Sequence, residues 1–397
     1  MIFRTPQYFP AIVGDNFFNT VGPGGGIVVT SNDSAGAHGA CTNRGGDIVI
    51  LHGNGRGPGR LRIRTRNCMT SYGVPGGGLS PDGCSWKSGG ITRVGRTIYL
   101  AVARQLRACS KGAQQHGIQP SFNASIVKSV DGGLTWRNSW GMVSRDGAAP
   151  PFDDATGHYR AMFPGRSFSA PFFIQYGPGN THTVDGANRY LYAVSTDGYA
   201  YNGSYLRLAR VRIGKVQHRS AWQFYHGAVG GAGRQWGHRV RRATRVLRAP
   251  HSLSQPAIQY IPALRRYVLM TFYYPNAHRD FPRPRQTSRT NLRIYTAPKP
   301  WGPWTKVLER HSTRALWCSA RPCRLNRHGG KILHVGRPRD QLGLYDTALV
   351  QKYVFTRSLR GQAVFTSGDF KNKRRYRGED LYRLHAIPID LRSLLRR

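Results

Sequence analysis

The sequence predicts an all-β fold, a single five-bladed β-propeller over residues 1–397, and three observations lead there. Glycine and proline are frequent, 48 and 24 of 397 residues, which leaves no long run free of helix breakers. Short runs rich in β-branched and aromatic residues recur between Gly, Pro, Asn and Asp borders. No stretch holds a 3.6-residue apolar period through three turns. Nor does any window approach the roughly 18 consecutive apolar residues of a membrane-spanning helix. A hydrophobic content of 39% with 11% aromatics argues for a buried core rather than a disordered chain.

The strand-like runs fall at residues 47–51, 97–104, 124–129, 171–176, 190–195, 205–211, 257–261, 267–274, 292–296, 331–335, 348–355 and 380–389. They group into five units, roughly 11–70, 85–140, 165–228, 252–310 and 315–390, each long enough for a four-stranded blade. The ring closes without a free edge if residues 382–389 and those before Asp15 complete one blade. Two packed β-sandwiches are the architectural alternative.

One motif carries most weight. Ser129, Asp131, Gly133, Thr135 and Trp136 follow the pattern S-x-D-x-G-x-T-W. Asp131 can accept backbone N–H bonds inside a tight turn, Gly132 and Gly133 permit positive φ, and Trp136 packs beneath. The pattern resembles the Asp box of sialidase-like propellers, a structural turn between the third and fourth strands of a blade. Ser195-Thr196-Asp197-Gly198 keeps its opening, and Gly302-Pro303-Trp304-Thr305 keeps its close. Longer stretches (GDNFFNT, SNDSAG, NCMTSYG, WKSGGI, NASIVKSVDGGLTW, MFPGRSFSAPFFIQYG, YLYAVSTDGYAYNGSY and IYTAPKPWGPWTKV) cover most of residues 14–310. Through them the chain resembles a bacterial group of five-bladed propellers related to the glycoside hydrolases, within an arabinanase-like superfamily. The last ninety residues match only loosely. The resemblance implies a polysaccharide partner, and within the first blade it implies a Cys41–Cys68 disulfide.

Glycosidic cleavage needs two carboxyl groups, one protonated and one ionised. With 18 acidic residues, of which only Glu309 and Glu379 are glutamates, the candidates are few. Asp131, Asp197 and Asp369 read as turn residues. Asp82, Asp146, Asp153 and Asp154 sit in Gly/Pro-rich loops. Asp15 in GDNFF and Asp33 in SNDSAG are the expected catalytic pair, with Asp185 and Asp340/Asp346 as weaker alternatives. Substrate contacts are expected from Trp86 and Lys87 at the start of the second blade, Arg104 at a strand end, and Ser169 and Gln255 before the third and fourth inner strands. No H-x-H, H-E-x-x-H or phosphate-cradling loop occurs, so neither a metal nor another cofactor is expected.

A net charge of +41, with Arg far outnumbering Lys, makes the surface attractive to polyanions. The second functional reading is therefore a non-catalytic propeller that binds an acidic glycan or cell-envelope polymer. Nucleic acid rests on charge alone, without a recognised module. Six cysteines, an even number, fit disulfides and an extracellular or cell-envelope setting. Cys318 with Cys323 would close a small loop. The first residues lack the long apolar core of a signal peptide.

Overall fold

The computed structural model describes residues 2–3, 7–41, 48–54, 61–69, 85–105, 120–137, 143–144, 161–227, 235–275, 290–310, 323–326, 332–335, 345–353, 359–366, 383–392 and 394. Helical structure among them is confined to short 3-10 turns, four of three residues each and a further one at Arg392 and Leu394. The rest is antiparallel meanders, as the turn-bordered apolar runs require.

Strands β1 (Ile2–Phe3) and β2 (Gln7–Val13) open the chain. A first meander follows in β3 (Asn19–Val21), β4 (Ile27–Ser31), β5 (Ile48–Asn54) and β6 (Arg62–Met69). The second comprises β7 (Ser85–Val94), β8 (Thr97–Gln105), β9 (Ser121–Ser129), β10 (Trp136–Arg137) and β11 (Val143–Ser144). The third comprises β12 (Phe172–Gln175), β13 (Tyr190–Ser195), β14 (Gly203–Arg212), β15 (Gln223–Tyr225) and β16 (Trp236–Gly237). The fourth comprises β17 (Arg245–Ile261), β18 (Arg266–Tyr273), β19 (Asn291–Ala297) and β20 (Thr305–Arg310). After the short pair β21 (Cys323–Asn326) and β22 (Ile332–Val335) come β23 (Tyr345–Leu349), β24 (Arg360–Thr366) and β25 (Arg383–Asp390).

The two ends of the chain meet in this last sheet. β25 pairs with β24 on one side and with β2 and β1 on the other. Both edges of the C-terminal strand are thereby used.

Two strands differ from expectation. The run expected at 257–261 begins instead at Arg245, because the arginine-rich first half of β17 pairs with β14 before the second half pairs with β18. Pro256, which argues against a central strand, falls at the register shift between Ser254 and Ala257. The run expected at 348–355 ends early, since a turn at Gln351–Tyr353 closes with a bond from the Tyr353 N–H to the Val350 carbonyl. β23 consequently starts at Tyr345.

The apolar faces pack as layers between neighbouring meanders. Val28, Ile50, Trp86, Leu100 and Trp136 share one buried cluster. Phe163, Phe168, Trp222 and Phe224 stack edge-on in another, with centroids 5.2 to 6.2 Å apart. Ile294, Val268, Phe365 and Ile389 form the third.

The S-x-D-x-G-x-T-W segment forms the turn its residues imply. Asp131 accepts bonds from the Leu134 and Thr135 amides at 3.0 and 2.9 Å, from Thr135 Oγ1 at 2.5 Å and from Ser129 Oγ at 2.7 Å. Gly133 (φ 93°) lies where a Cβ would press on Ile50 Cγ2 at 3.1 Å, and the buried Trp136 donates from Nε1 to the Gly133 carbonyl. Partial burial works to raise the Asp131 carboxyl, but the bonds from Thr135, Ser129 and Leu134 prevail and hold it below its usual value.

Cys41 and Cys68 are disulfide-bonded, with a Cα–Cα distance of 5.6 Å. Cys318, and hence its pairing with Cys323, lies outside the described residues, as do Asp82, Asp146, Asp153, Asp154, Asp340 and Asp369.

Two stability outcomes are expected. Replacing both Cys41 and Cys68 by Ala removes a crosslink between residues 27 apart and should cost about 3 kcal/mol, read by denaturant titration. Asp131→Ala strands several donors and should cost about 2 kcal/mol at neutral pH. Because the folded carboxyl is depressed, its stabilisation is present above the unfolded value of 3.8 and disappears as pH falls below it. The gap between wild type and variant should narrow accordingly.

Candidate functional site

Five strands converge on one narrow axial cavity of about 20 Å³, which Asn19 of β3, Ile91 of β7, Gln175 of β12, Gln259 of β17 and Leu349 of β23 help to line. β12 and β17 run parallel and pair at Ile174↔Ile258 and Gln175↔Gln259. Carboxamides knit the cavity wall. Gln175 Nε2 donates to the Asn19 carbonyl at 3.1 Å, and Thr92 Oγ1 donates to Gln175 Oε1 at 3.2 Å. Asn19 Nδ2 donates to the Leu349 carbonyl at 3.1 Å, and Gln351 Nε2 donates to Gln259 Oε1 at 2.9 Å. Chain-terminal sheet and first meander are thus joined at the axis.

The starts of these strands gather at one end of the cavity. Asp15 exchanges backbone bonds with Asn32 at 3.1 and 2.8 Å. The next amide, Asn16 N–H, donates to Asp346 Oδ2 at 3.1 Å. Two carboxyl groups from opposite ends of the sequence are therefore buried close to one another, Asp15 4% exposed and Asp346 fully buried. Around them lie Tyr201 and Tyr345, whose hydroxyls touch, with Tyr274 5.7 Å from the Tyr201 ring and Phe272 4.8 Å from the Tyr345 ring. Asn202 braces this wall. Its N–H donates to Ser254 Oγ, and its side chain both donates to the Tyr274 carbonyl and accepts from the Tyr274 N–H, each at 2.9 Å.

Burial, followed by the charge of Asp15, pushes the Asp346 carboxyl far up, against the opposing bond from Asn16. Burial and the same Asp15 charge hold the Tyr201 and Tyr345 phenols well above their ordinary value, so both stay neutral donors. Two neighbouring carboxyl groups, one of them with its proton affinity raised by burial and by the charge of the other, are the combination acid–base chemistry uses.

Asp33 stands in a different environment. Its Oδ1 is 2.5 Å from Lys87 Nζ, Asp33 a quarter exposed and Lys87 buried. Between the two carboxyls, Asn32 Oδ1 accepts from the Ser88 N–H and Oγ. The buried Trp86 has its ring covered by the Arg104 guanidinium, 4.6 Å from the centroid. Ser169 and Ser121 exchange hydroxyl-to-carbonyl bonds at 2.6 and 2.7 Å, a latch between the segment before β12 and β9. Gln255 is 3% exposed, has φ 39°, and its Oε1 accepts no hydrogen bond. Asp185, at the other end of the sheet, accepts from Tyr267 and Lys299.

Left-handed backbone concentrates at this end: Asn16, Asp33, Asn202, Gln255 and Asp346 all have φ between 39° and 59°. Such conformations cost about 1–3 kcal/mol each for a non-glycine residue and persist where the surroundings enforce them. Reading the sequence overlooked Tyr201, Asn202, Tyr274 and Tyr345. A signal existed in Tyr-Asn-Gly at 201–203 and Tyr-Asp at 345–346, where Asn or Asp can take αL. Among the described residues no group of His, Cys, Asp and Glu is placed to hold a metal ion. No described helix is long and apolar enough to cross a membrane.

Asp346→Asn should raise the thermal midpoint at neutral pH. A folded-state pKa above the unfolded one makes wild-type stability fall as pH rises above 3.8, and asparagine escapes that penalty. Thermal melts from pH 4 to 8 check it; a variant whose deficit grows with pH contradicts the assignment.

No protein-family model and no curated protein matches the sequence. Solved structures do match in fold. A putative hydrolase from Bacteroides ovatus superposes with a TM-score of 0.50 at 14% identity, covering 98% of this chain and 88% of that one. An α-L-arabinofuranosidase from Podospora anserina, in complex with cellotriose, has a TM-score of 0.45 at 12% identity over 98% of this chain and 95% of its own. The native arabinanase of Bacillus subtilis has 0.44 at 11% identity, with 96% of each chain covered. In fold, the chain is similar to the putative hydrolase from Bacteroides ovatus.

Proposed function

We propose that this chain is a single five-bladed propeller that hydrolyses a polysaccharide at the end of its axis where Asp15 and Asp346 meet. The observation that carries the reading is the contact between the Asp15–Asn16 backbone and the buried Asp346 carboxyl. Convergence of five strands on one cavity, and the pairing of β25 with β2, support the five-blade closure.

In this reading Asp346 carries the proton and passes it to the departing glycosidic oxygen, while Asp15, ionised, takes a proton from the attacking water. Asp33, paired with Lys87, steadies positive charge developing on the sugar. Tyr201, Tyr345 and Gln255 present hydroxyl and amide groups to the sugar hydroxyls. An extracellular or cell-envelope setting agrees with the Cys41–Cys68 bond.

A second reading is a propeller that binds glycan without cutting it. It is favoured by a specific feature: the starts of β12 and of the axial half of β17 offer Ser169 and Gln255 rather than carboxylates. Hydrolysis of arabinan, xylan and polygalacturonate by wild type, Asp15→Asn, Asp346→Asn and Asp33→Asn separates them. The hydrolase reading expects cleavage of one polymer by wild type, at least a hundredfold loss in the first two variants, and a smaller loss in Asp33→Asn. Binding without cleavage by all four proteins establishes the second reading.

A further inference from the structure

No aspartate or glutamate occurs between Asp197 and Asp280, a stretch holding thirteen arginines and one lysine. Its strands β14 to β17 build one continuous sheet. Where β14 pairs with the first half of β17, Tyr205 lies across from Arg248 and Arg207 across from Arg245, while the intervening Leu206↔Leu247 pair is turned into the core. Three arginines and one tyrosine therefore share a face. The Arg245 and Arg207 guanidinium carbons sit 4.4 and 5.0 Å from the Tyr205 ring centroid. Stacking fixes these planar groups while leaving N–H edges for ligands. Arg245 and Arg248 are exposed. Among the described residues none forms an ion pair with Arg207, Arg245 or Arg248. The charge of Arg207 acts on Asp197, whose Oδ2 accepts from the Ser204 N–H.

The cluster adjoins the carboxyl pocket. Tyr205 follows Tyr201 by four residues, which span at most about 13 Å, and the Tyr201 hydroxyl touches that of Tyr345 beside the carboxyl pair. We propose that this arginine face is a distal binding lane for an acidic polysaccharide, so that the polymer presented to Asp15 and Asp346 is a polyanion. The lane rests on the glycan-active reading and adds the substrate class to it. A nucleic-acid single strand fits less well, because such sites need free aromatic faces for base stacking, and here guanidiniums occupy the Tyr205 ring.

The test measures binding of polygalacturonate, of neutral arabinan and of a DNA duplex across a salt series. The proteins compared are wild type, Arg245→Gln/Arg248→Gln, and a charge-matched control, Arg265→Gln/Arg310→Gln. The lane predicts that the first variant loses about tenfold in affinity for polygalacturonate with a shallower salt dependence, while arabinan binding and the melting temperature stay unchanged. The control should bind as wild type does. Equal losses in both variants would mean that net charge alone attracts the polymer, and overturn the lane. So would tighter binding to the duplex than to polygalacturonate at equal salt. Hydrolysis is read separately: a protein that binds through the lane yet cleaves nothing keeps this inference and rejects the hydrolase. Cleavage of polygalacturonate that is indifferent to Arg245→Gln/Arg248→Gln does the reverse.

Discussion

The pairing of β25 with β2 is the constraint on which the rest of the structure depends. β25 is hydrogen-bonded along both edges, and its second partner comes from the other end of the chain. Two residues beyond β2 the chain reaches Asp15, while β23, in the same sheet as β25, begins with Tyr345 and Asp346. The bond from Asn16 to Asp346 spans 330 positions. Without that closure each carboxyl would sit at a loose end in water, ionised and independent. With it, both are buried and the charge of Asp15 acts on Asp346.

The pocket end and the outer turns of the molecule spend their polar groups differently. At the outer turn, Asp131 has its acceptors filled by neighbours two to four residues away, and its charge is stabilised by them. Beside Asp15, Asp346 receives the Asn16 N–H while burial raises its carboxyl, and Gln255 holds a buried carbonyl oxygen that no donor among the described residues meets. Left-handed Asn16, Asn202, Gln255 and Asp346 add backbone strain there. Local satisfaction marks a structural turn; unmet acceptors and strain together mark a surface shaped for something else to complete.

The charge of +41 is likewise not uniform in its consequences. Arg293 and Lys306 converge on Glu309, holding its carboxyl at about 2 despite partial burial. Arg392 does the same for Asp390. Arg104 lies on Trp86 in the interior. What distinguishes the face around Tyr205 is the absence of any such carboxylate from the strands that build it.

The class of fold was legible in the sequence because it rests on local physics: apolar runs of strand length, turn residues between them, and an Asp turn whose acceptor and donors lie within six residues. The Cys41–Cys68 bond followed from likeness to relatives rather than from spacing. The start of β17 was hidden, since its arginine-rich half lacks the apolar signature of a strand and is held by β14 instead. Asp15 could be picked out as a candidate, with Asp346 only a weaker alternative to Asp33. Asp33 is nearer in sequence and better framed by glycine, yet Lys87 engages it; Asp346 becomes the neighbour only when the ends of the chain are brought together. Motif and turn chemistry are short-range and readable along the chain. The protonation of a carboxyl depends on what burial places beside it, and that only the closed tertiary structure decides.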